Sequence, residues 1–139
     1  MFRMLDADSP ISKEDFLQFE EILGKKLPKT MLCFYLKHNG GQPQVRGVHD
    51  DCHLFPFNSF DSLEEMKKSF TWFDDEAVPA GFRATDLLHF AYDPGSGNYA
   101  LSLRAEDYGK VYFYVLEETA ELYGQWPSFE VFLNSFVEE

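Results

Sequence analysis

A dense turn between two apolar runs constrains this chain more than any other feature. Leu87-Leu88-His89-Phe90-Ala91 leads into Asp93-Pro94-Gly95-Ser96-Gly97-Asn98, after which Tyr99, Leu101 and Leu103 alternate with Ala100, Ser102 and Arg104. Asp, Pro, Gly and Asn each favour tight turns, and alternation of period two is that of a strand with one face buried. A further run, Lys110 to Leu116, follows Asp107-Tyr108-Gly109. Strands joined by connections this short pair antiparallel, so residues 87–116 are expected to form a β-meander.

Helical spacing brackets that sheet. Ser12 stands as an N-cap before a run that places Phe16, Phe19, Ile22 and Leu23 on one side and Glu14, Asp15, Glu20 and Glu21 towards water, with Gly24 as the stop. Pro28 suits the first turn of a second helix, whose Met31, Leu32, Phe34, Tyr35 and Leu36 form a broad apolar face before Asn39-Gly40-Gly41 ends it. Asp61 with Glu64 reads as a capping box for a third helix carrying Leu63, Met66 and Phe70. Near the other terminus, Pro127 or Ser128 opens a helix with Phe129, Phe132, Leu133, Phe136 and Val137 on one face. His53-Leu54-Phe55-Pro56-Phe57 is a short strand that Pro56 confines to an edge. Gln42 to Asp51 and Thr71 to Ala84 read as loops. The expected class is α+β: N-terminal helices packed on a mostly antiparallel β-sheet, the meander, with a C-terminal helix.

With 139 residues, 45% of them hydrophobic, the chain has the length and the apolar content for one domain, 1–139, around one core. No apolar run approaches the ~20 residues of a membrane-spanning helix. The N-terminus lacks the apolar stretch and small-residue cleavage site of a signal peptide. A cytoplasmic setting with Cys33 and Cys52 reduced is therefore expected.

Residue types that carry chemistry occur here without the spacing that chemistry needs. His49-Asp50-Asp51-Cys52-His53 is the densest set, and a small metal-dependent hydrolase would have to use it. The run is contiguous, lacks a second ligand pair at zinc-site spacing, and offers nothing to activate the Cys52 thiol. Asp93 to Asn98 is neither a phosphate-binding loop, since no Gly-Lys-Ser/Thr follows, nor an EF-hand. His38 closes the second helix as a dipole-capping cation, and His89 belongs to an apolar strand. No catalytic, cofactor-binding or metal-binding residue is assigned, and no cofactor is expected.

Charge is the informative property. The net charge is −12, of which residues 71–139 carry −10. The acids gather at Asp74-Asp75-Glu76, Glu106-Asp107, Glu117-Glu118 with Glu121, and Glu138-Glu139. Such a field repels nucleic acid; its acids either keep the chain in solution or attract a basic protein, raising its association rate. The candidate partner-binding residues are Trp72, Asp74, Asp75, Glu76, Asp93, Glu106, Asp107, Glu117 and Glu118, with Trp72 beside Phe73 as the aromatic anchor. The chain itself is expected to be a monomer or a weak homodimer.

The ordered run Ile11, Phe16, Phe19-Glu20, Leu23-Gly24, Leu27-Pro28, Phe34-Tyr35 and Asn39-Gly40-Gly41-Gln42-Pro43 resembles the SMI1/KNR4 proteins, the SUKH superfamily. Phe90-Ala91, Asp93, Gly97-Asn98-Tyr99, Gly109-Lys110-Val111-Tyr112 and Ser128-Phe129-Glu130 with Phe132-Leu133 continue the likeness in order. The Thr71 to Ala84 region matches no family feature. The resemblance implies N-terminal helices on a largely antiparallel sheet with a C-terminal helix. It also implies a non-catalytic role: bacterial members are immunity proteins that bind and neutralise polymorphic toxin domains, many of them nucleases, and fungal namesakes regulate cell-wall glucan synthesis, so the expected function is that of an immunity protein and the alternative a regulatory or scaffold protein of cell-wall synthesis or signalling.

Overall fold

The computed structural model describes residues 3–45 and 47–137. In chain order the elements are β1 (Met4–Leu5), α1 (Lys13–Leu23), α2 (Lys29–Lys37), β2 (Gln42–Pro43), β3 (Gly47–His49), β4 (Leu54–Pro56), β5 (Ser59–Phe60), α3 (Leu63–Trp72), β6 (Leu87–Tyr92), β7 (Gly97–Ser102), β8 (Val111–Leu116), β9 (Ala120–Trp126), α4 (Phe129–Leu133) and β10 (Phe136–Val137). The meander is present as the centre of a five-stranded antiparallel sheet, ordered β5-β6-β7-β8-β9. A three-stranded sheet, β10-β3-β4, and a two-stranded one, β1-β2, complete the fold. It is α+β, as expected, with the third helix set in the middle of the chain.

Capping fixes the helix ends. Ser12 Oγ accepts from the Asp15 amide at 3.1 Å while the Asp15 carboxylate accepts from the Ser12 amide at 2.9 Å, and Gly24 closes α1 in the left-handed region. For α3 the expected box shifts by one residue. Ser62 is the N-cap and Glu65 its partner, because the Asp61 amide is held in the sheet by the Phe90 carbonyl. Ile22 is 61% exposed, a second correction: at about 100° per residue it stands about 120° around α1 from Phe16. Leu36 is likewise exposed on α2.

Two expectations fail where extended chain finds a ladder. The C-terminal helix ends at Leu133, and Phe136 and Val137 pair with Val48 and Gly47 as β10. Phe136 keeps its place against Phe57, at 4.8 Å between ring centroids, from a strand rather than from a helix. The segment from Gln42 to Asp51, read as a loop, contains β2 and β3. Pro56 does end an edge strand, as its missing N–H requires.

The main core lies between the helices and one face of the large sheet, where Phe16, Phe19, Met31 and Tyr35 meet Phe60, Phe90, Tyr99, Leu101, Phe113, Trp126, Phe129 and Phe132. The other face is not open to water. Ala100 and Ser102, expected on the wet side of β7, are fully buried, and Ala100 packs with Val78, Leu87, Tyr112 and Tyr114 in a second cluster. Residues 73–86 provide that cover.

The Asn39-Gly40-Gly41 corner ties three segments together. Asn39 Nδ2 donates to the Ser9 carbonyl at 2.8 Å and its Oδ1 accepts from the Leu63 amide at 2.9 Å, linking the N-terminal segment, the end of α2 and the start of α3. Gly40 has φ +80°, and a Cβ there would lie 2.7 Å from the Ser62 amide nitrogen. Gly24 shares the left-handed φ, but a Cβ there meets nothing within 4 Å. Gly24→Ala should therefore cost about 1 kcal/mol in urea unfolding, and Gly40→Ala should cost about 3 kcal/mol or more, since backbone must also move. Equal costs would show that the corner is not tightly closed.

Candidate functional site

The segment from Phe73 to Asp86 forms a strap across the outer face of the sheet, anchored through aromatic and charged residues. Phe73 stacks on His89 of β6, with centroids 3.7 Å apart and planes 5° from parallel. His89 Nε2 lies 2.6 Å from Tyr114 Oη, which donates onward to the Ala77 carbonyl of the strap at 2.9 Å. Because the tyrosine proton points to Ala77, the imidazole must donate, which places its proton on Nε2 and leaves Nδ1 buried without a hydrogen-bond partner among the described residues. Burial alone pulls the His89 pKa down to about 3, so the ring is neutral at pH 7.

At the strap's other end, the Arg104 guanidinium lies 3.9 Å over the Phe82 ring and donates to the Gly81 carbonyl at 3.2 Å. Its Nε and Nη2 donate to the two oxygens of Asp107 at 3.1 and 2.5 Å, and Ser102 and Tyr112 hydroxyls donate to the same carboxylate at 2.5 Å each. Burial pushes the Asp107 carboxyl up, but these hydrogen bonds and the Arg104 charge outweigh it and hold it well below the usual range.

The proposed partner-binding residues divide accordingly. Asp107 is a junction between sheet and strap. Asp74 Oδ1 accepts from the Glu76 and Ala77 amides at 3.0 and 3.1 Å, and Asp75 accepts from the Ala84 amide at 2.8 Å, so both shape the strap while remaining exposed. Asp93 is almost buried and closes the β6–β7 turn through the Gly95 and Gly97 amides, each at 2.8 Å. Glu76, Glu106, Glu117 and Glu118 are exposed, and Trp72 is 73% exposed at the end of α3, edge-on to Phe73 at 4.9 Å. Glu117 and Glu118 adjoin the β6–β7 turn, where the Leu116 amide reaches the Ser96 carbonyl. Glu106 lies beyond the opposite end of β8, about 20 Å away at roughly 3.4 Å per residue over a six-residue strand. The structure thus places the acids on two rims with the strap between them. Glu138 and Glu139 lie outside the described residues.

Sequence reasoning missed another acidic feature. Asp6, Asp8, Glu64 and Glu65 come together beside Asn39, Gln42 and Asn58 around an open polar cleft of about 510 Å³. The near-neutral balance of the first half hides it, because only the fold brings the N-terminal segment against the start of α3. Burial, with the Glu65 charge adding to it, pushes neighbouring Asp61 up to about 7.

The His49 to His53 run is the end of β3 and the turn that leads into β4. Asp50 Oδ1 accepts from the Cys52 and His53 amides, each at 2.8 Å, and the Trp126 indole donates to the His49 carbonyl at 2.9 Å. Among the described residues, no three His, Cys, Asp or Glu side chains are arranged to hold a metal ion. Cys33 and Cys52 are free thiols. His38 does form the C-cap of α2, but burial and the Lys37 charge lower its pKa, so it is not a cation at neutral pH.

The strap makes a signed pH prediction. Unfolded His89 takes a proton below about pH 6.5, whereas the folded ring does not until about pH 3, so its contribution to stability falls as pH drops through that window. Asp61 acts oppositely: its folded pKa near 7 exceeds the unfolded 3.8, so it favours the folded state as pH falls between those values. Removing the imidazole isolates the contribution of His89. The stability difference between the parent chain and His89→Leu should shift in favour of the variant by ~1 kcal/mol per pH unit from 6 to 4.5. A constant difference in urea unfolding would show that His89 is not held neutral.

The model of the SMI1/KNR4 family (SUKH-1) matches residues 10–135. No curated protein matches the chain. No helix among the described residues is long and apolar enough to cross a membrane. The match spans both sheet faces, the Asn39-Gly40-Gly41 corner and the strap itself, and the chain belongs to the SMI1/KNR4 family.

Proposed function

We propose that this chain, one domain over residues 1–139, is a non-catalytic, cytoplasmic immunity protein that binds and neutralises a basic toxin domain of the nuclease type. Family membership over residues 10–135 is the observation that carries the reading. Its physical support is the surface. A nuclease presents Lys and Arg to phosphate, and an inhibitor that covers such a surface needs carboxylates in water at its rim and an apolar anchor among them. Glu76, Glu106, Glu117 and Glu118 are exposed, and Trp72 offers an indole free of the core. Asp74, Asp75 and Asp93 add to the field from fixed positions, whereas the charge of Asp107 is balanced by Arg104.

Two variants separate steering from anchoring. Trp72→Ala should weaken toxin binding by about 2 kcal/mol while thermal stability stays within about 0.5 kcal/mol, because the side chain is mostly in water. Glu117→Lys with Glu118→Lys should lower the association rate about tenfold at low salt and little at high salt. The measurement is capture of the partner from native cells at both ionic strengths, followed by binding kinetics and an assay of toxin activity. Salt-independent association, or toxin activity unchanged by bound chain, contradicts the reading.

A further inference from the structure

The five-stranded sheet has two edges, and among the described residues only one of them pairs with further chain. At β5 the Gly41 and Phe60 backbones exchange hydrogen bonds of 3.0 and 2.8 Å, which closes that side. β9 is the terminal strand on the other side, and among the described residues no strand pairs with its outer edge. Proteins usually protect such an edge with charged side chains, especially Lys, with Pro, with a bulge or with a short strand. β9 has seven residues, Ala120 to Trp126, with neither Lys nor Pro.

A bulge supplies side chains along this edge. Phe113 pairs with Gly124 and Tyr114 with Leu122, so β9 carries one extra residue, Tyr123, at this point. Gly124 is needed where Phe55 crosses the strand, since a Cβ would lie 2.6 Å from its ring. Leu122 and Tyr123 are 45% and 56% exposed, and with Tyr112 they line a hollow of about 250 Å³.

We infer that β9 accepts an extended segment of a basic partner as a sixth strand, its apolar side chains on Leu122 and Tyr123 and its Lys or Arg side chains towards Glu121, Glu117 and Glu118. Charge selects this occupant. The hairpin and strand carry three glutamates and no cation from residue 116 to 126, and Asp50 lines the hollow. A second copy would bring a net charge of −12 against −12. Strand addition uses main-chain hydrogen bonds for affinity and alternate side chains for selection. The inference rests on the protein-binding reading but names a surface that reading does not.

The test titrates the isotope-labelled chain with a blocked seven-residue peptide alternating lysine with valine, and with a glutamate–valine control, following amide shifts and hydrogen exchange. Saturable shifts and slowed exchange confined to residues 120–126, with the lysine peptide alone, are expected. Glu121→Lys, an exposed position, should weaken the effect about threefold while leaving the fold intact. No change at millimolar peptide, changes centred elsewhere, or β9 protection that grows with chain concentration in the absence of peptide would overturn it. Captured toxin that leaves β9 amides unprotected would remove this inference alone. Peptide binding at β9 by a chain that inhibits no toxin would remove only the immunity reading.

Discussion

Burial of the central sheet on both faces is the constraint on which the rest of the structure depends. One face of β6, β7 and β8 packs against the helices, as the apolar residues of α1, α2 and α4 require. The other packs beneath the strap, where Tyr112, Tyr114 and Leu87 would otherwise meet water. Aromatic rings with hydroxyls suit this second layer because each polar tip finds a partner: Tyr114 with Ala77 and His89, and Tyr112 with Asp107. A sheet covered on both faces presents its remaining surface as rims, corners and one strand edge.

That geometry organises the electrostatics. Among the described residues, the acids from Asp74 to Glu118 lie mostly where chain direction reverses, at the two ends of β8 and along the strap, while the sheet faces between them are apolar. Some are committed inward. Asp107 ties Arg104, Ser102 and Tyr112 together, and Asp93, Asp74 and Asp75 close turns. Glu76, Glu106, Glu117 and Glu118 carry their charge in solvent. Their uneven distribution, with Trp72 between the end of α3 and the strap, supplies the charge pattern that the proposed protein-binding role would use.

Local chemistry was legible in the sequence, and long-range closure was not. Ser12, Gly24, Pro56 and the Asp93 to Asn98 turn all behave as their side chains dictate, because each acts within a few residues of itself. The α3 cap moved from Asp61 to Ser62 because β6 captures the Asp61 amide, a partner 29 positions later in the chain. Phe136 and Val137 left the helical pattern for the edge of β3 for a similar reason. The strap was opaque for a third. Phe73, Val78 and Phe82 follow neither helical nor strand periodicity, and only the sheet beneath them gives their spacing meaning. Of the candidate surface, the acidic rims could be read from charge clusters, whereas the cleft at Asp6, Asp8, Glu64 and Glu65 and the bulged edge of β9 exist only after folding.

Native-state hydrogen exchange tests most directly whether the strap is part of the cooperative structure. The Ala77 and Ala84 amides donate to Asp74 and Asp75 within it, and the Tyr99 and Phe113 amides lie in the strands it covers. If the sheet depends on cover from both sides, these amides should share one opening free energy, close to that of global unfolding. Fast exchange at Ala77 and Ala84 with Tyr99 and Phe113 fully protected would contradict the account and reduce the strap to an ornament on a sheet stable without it.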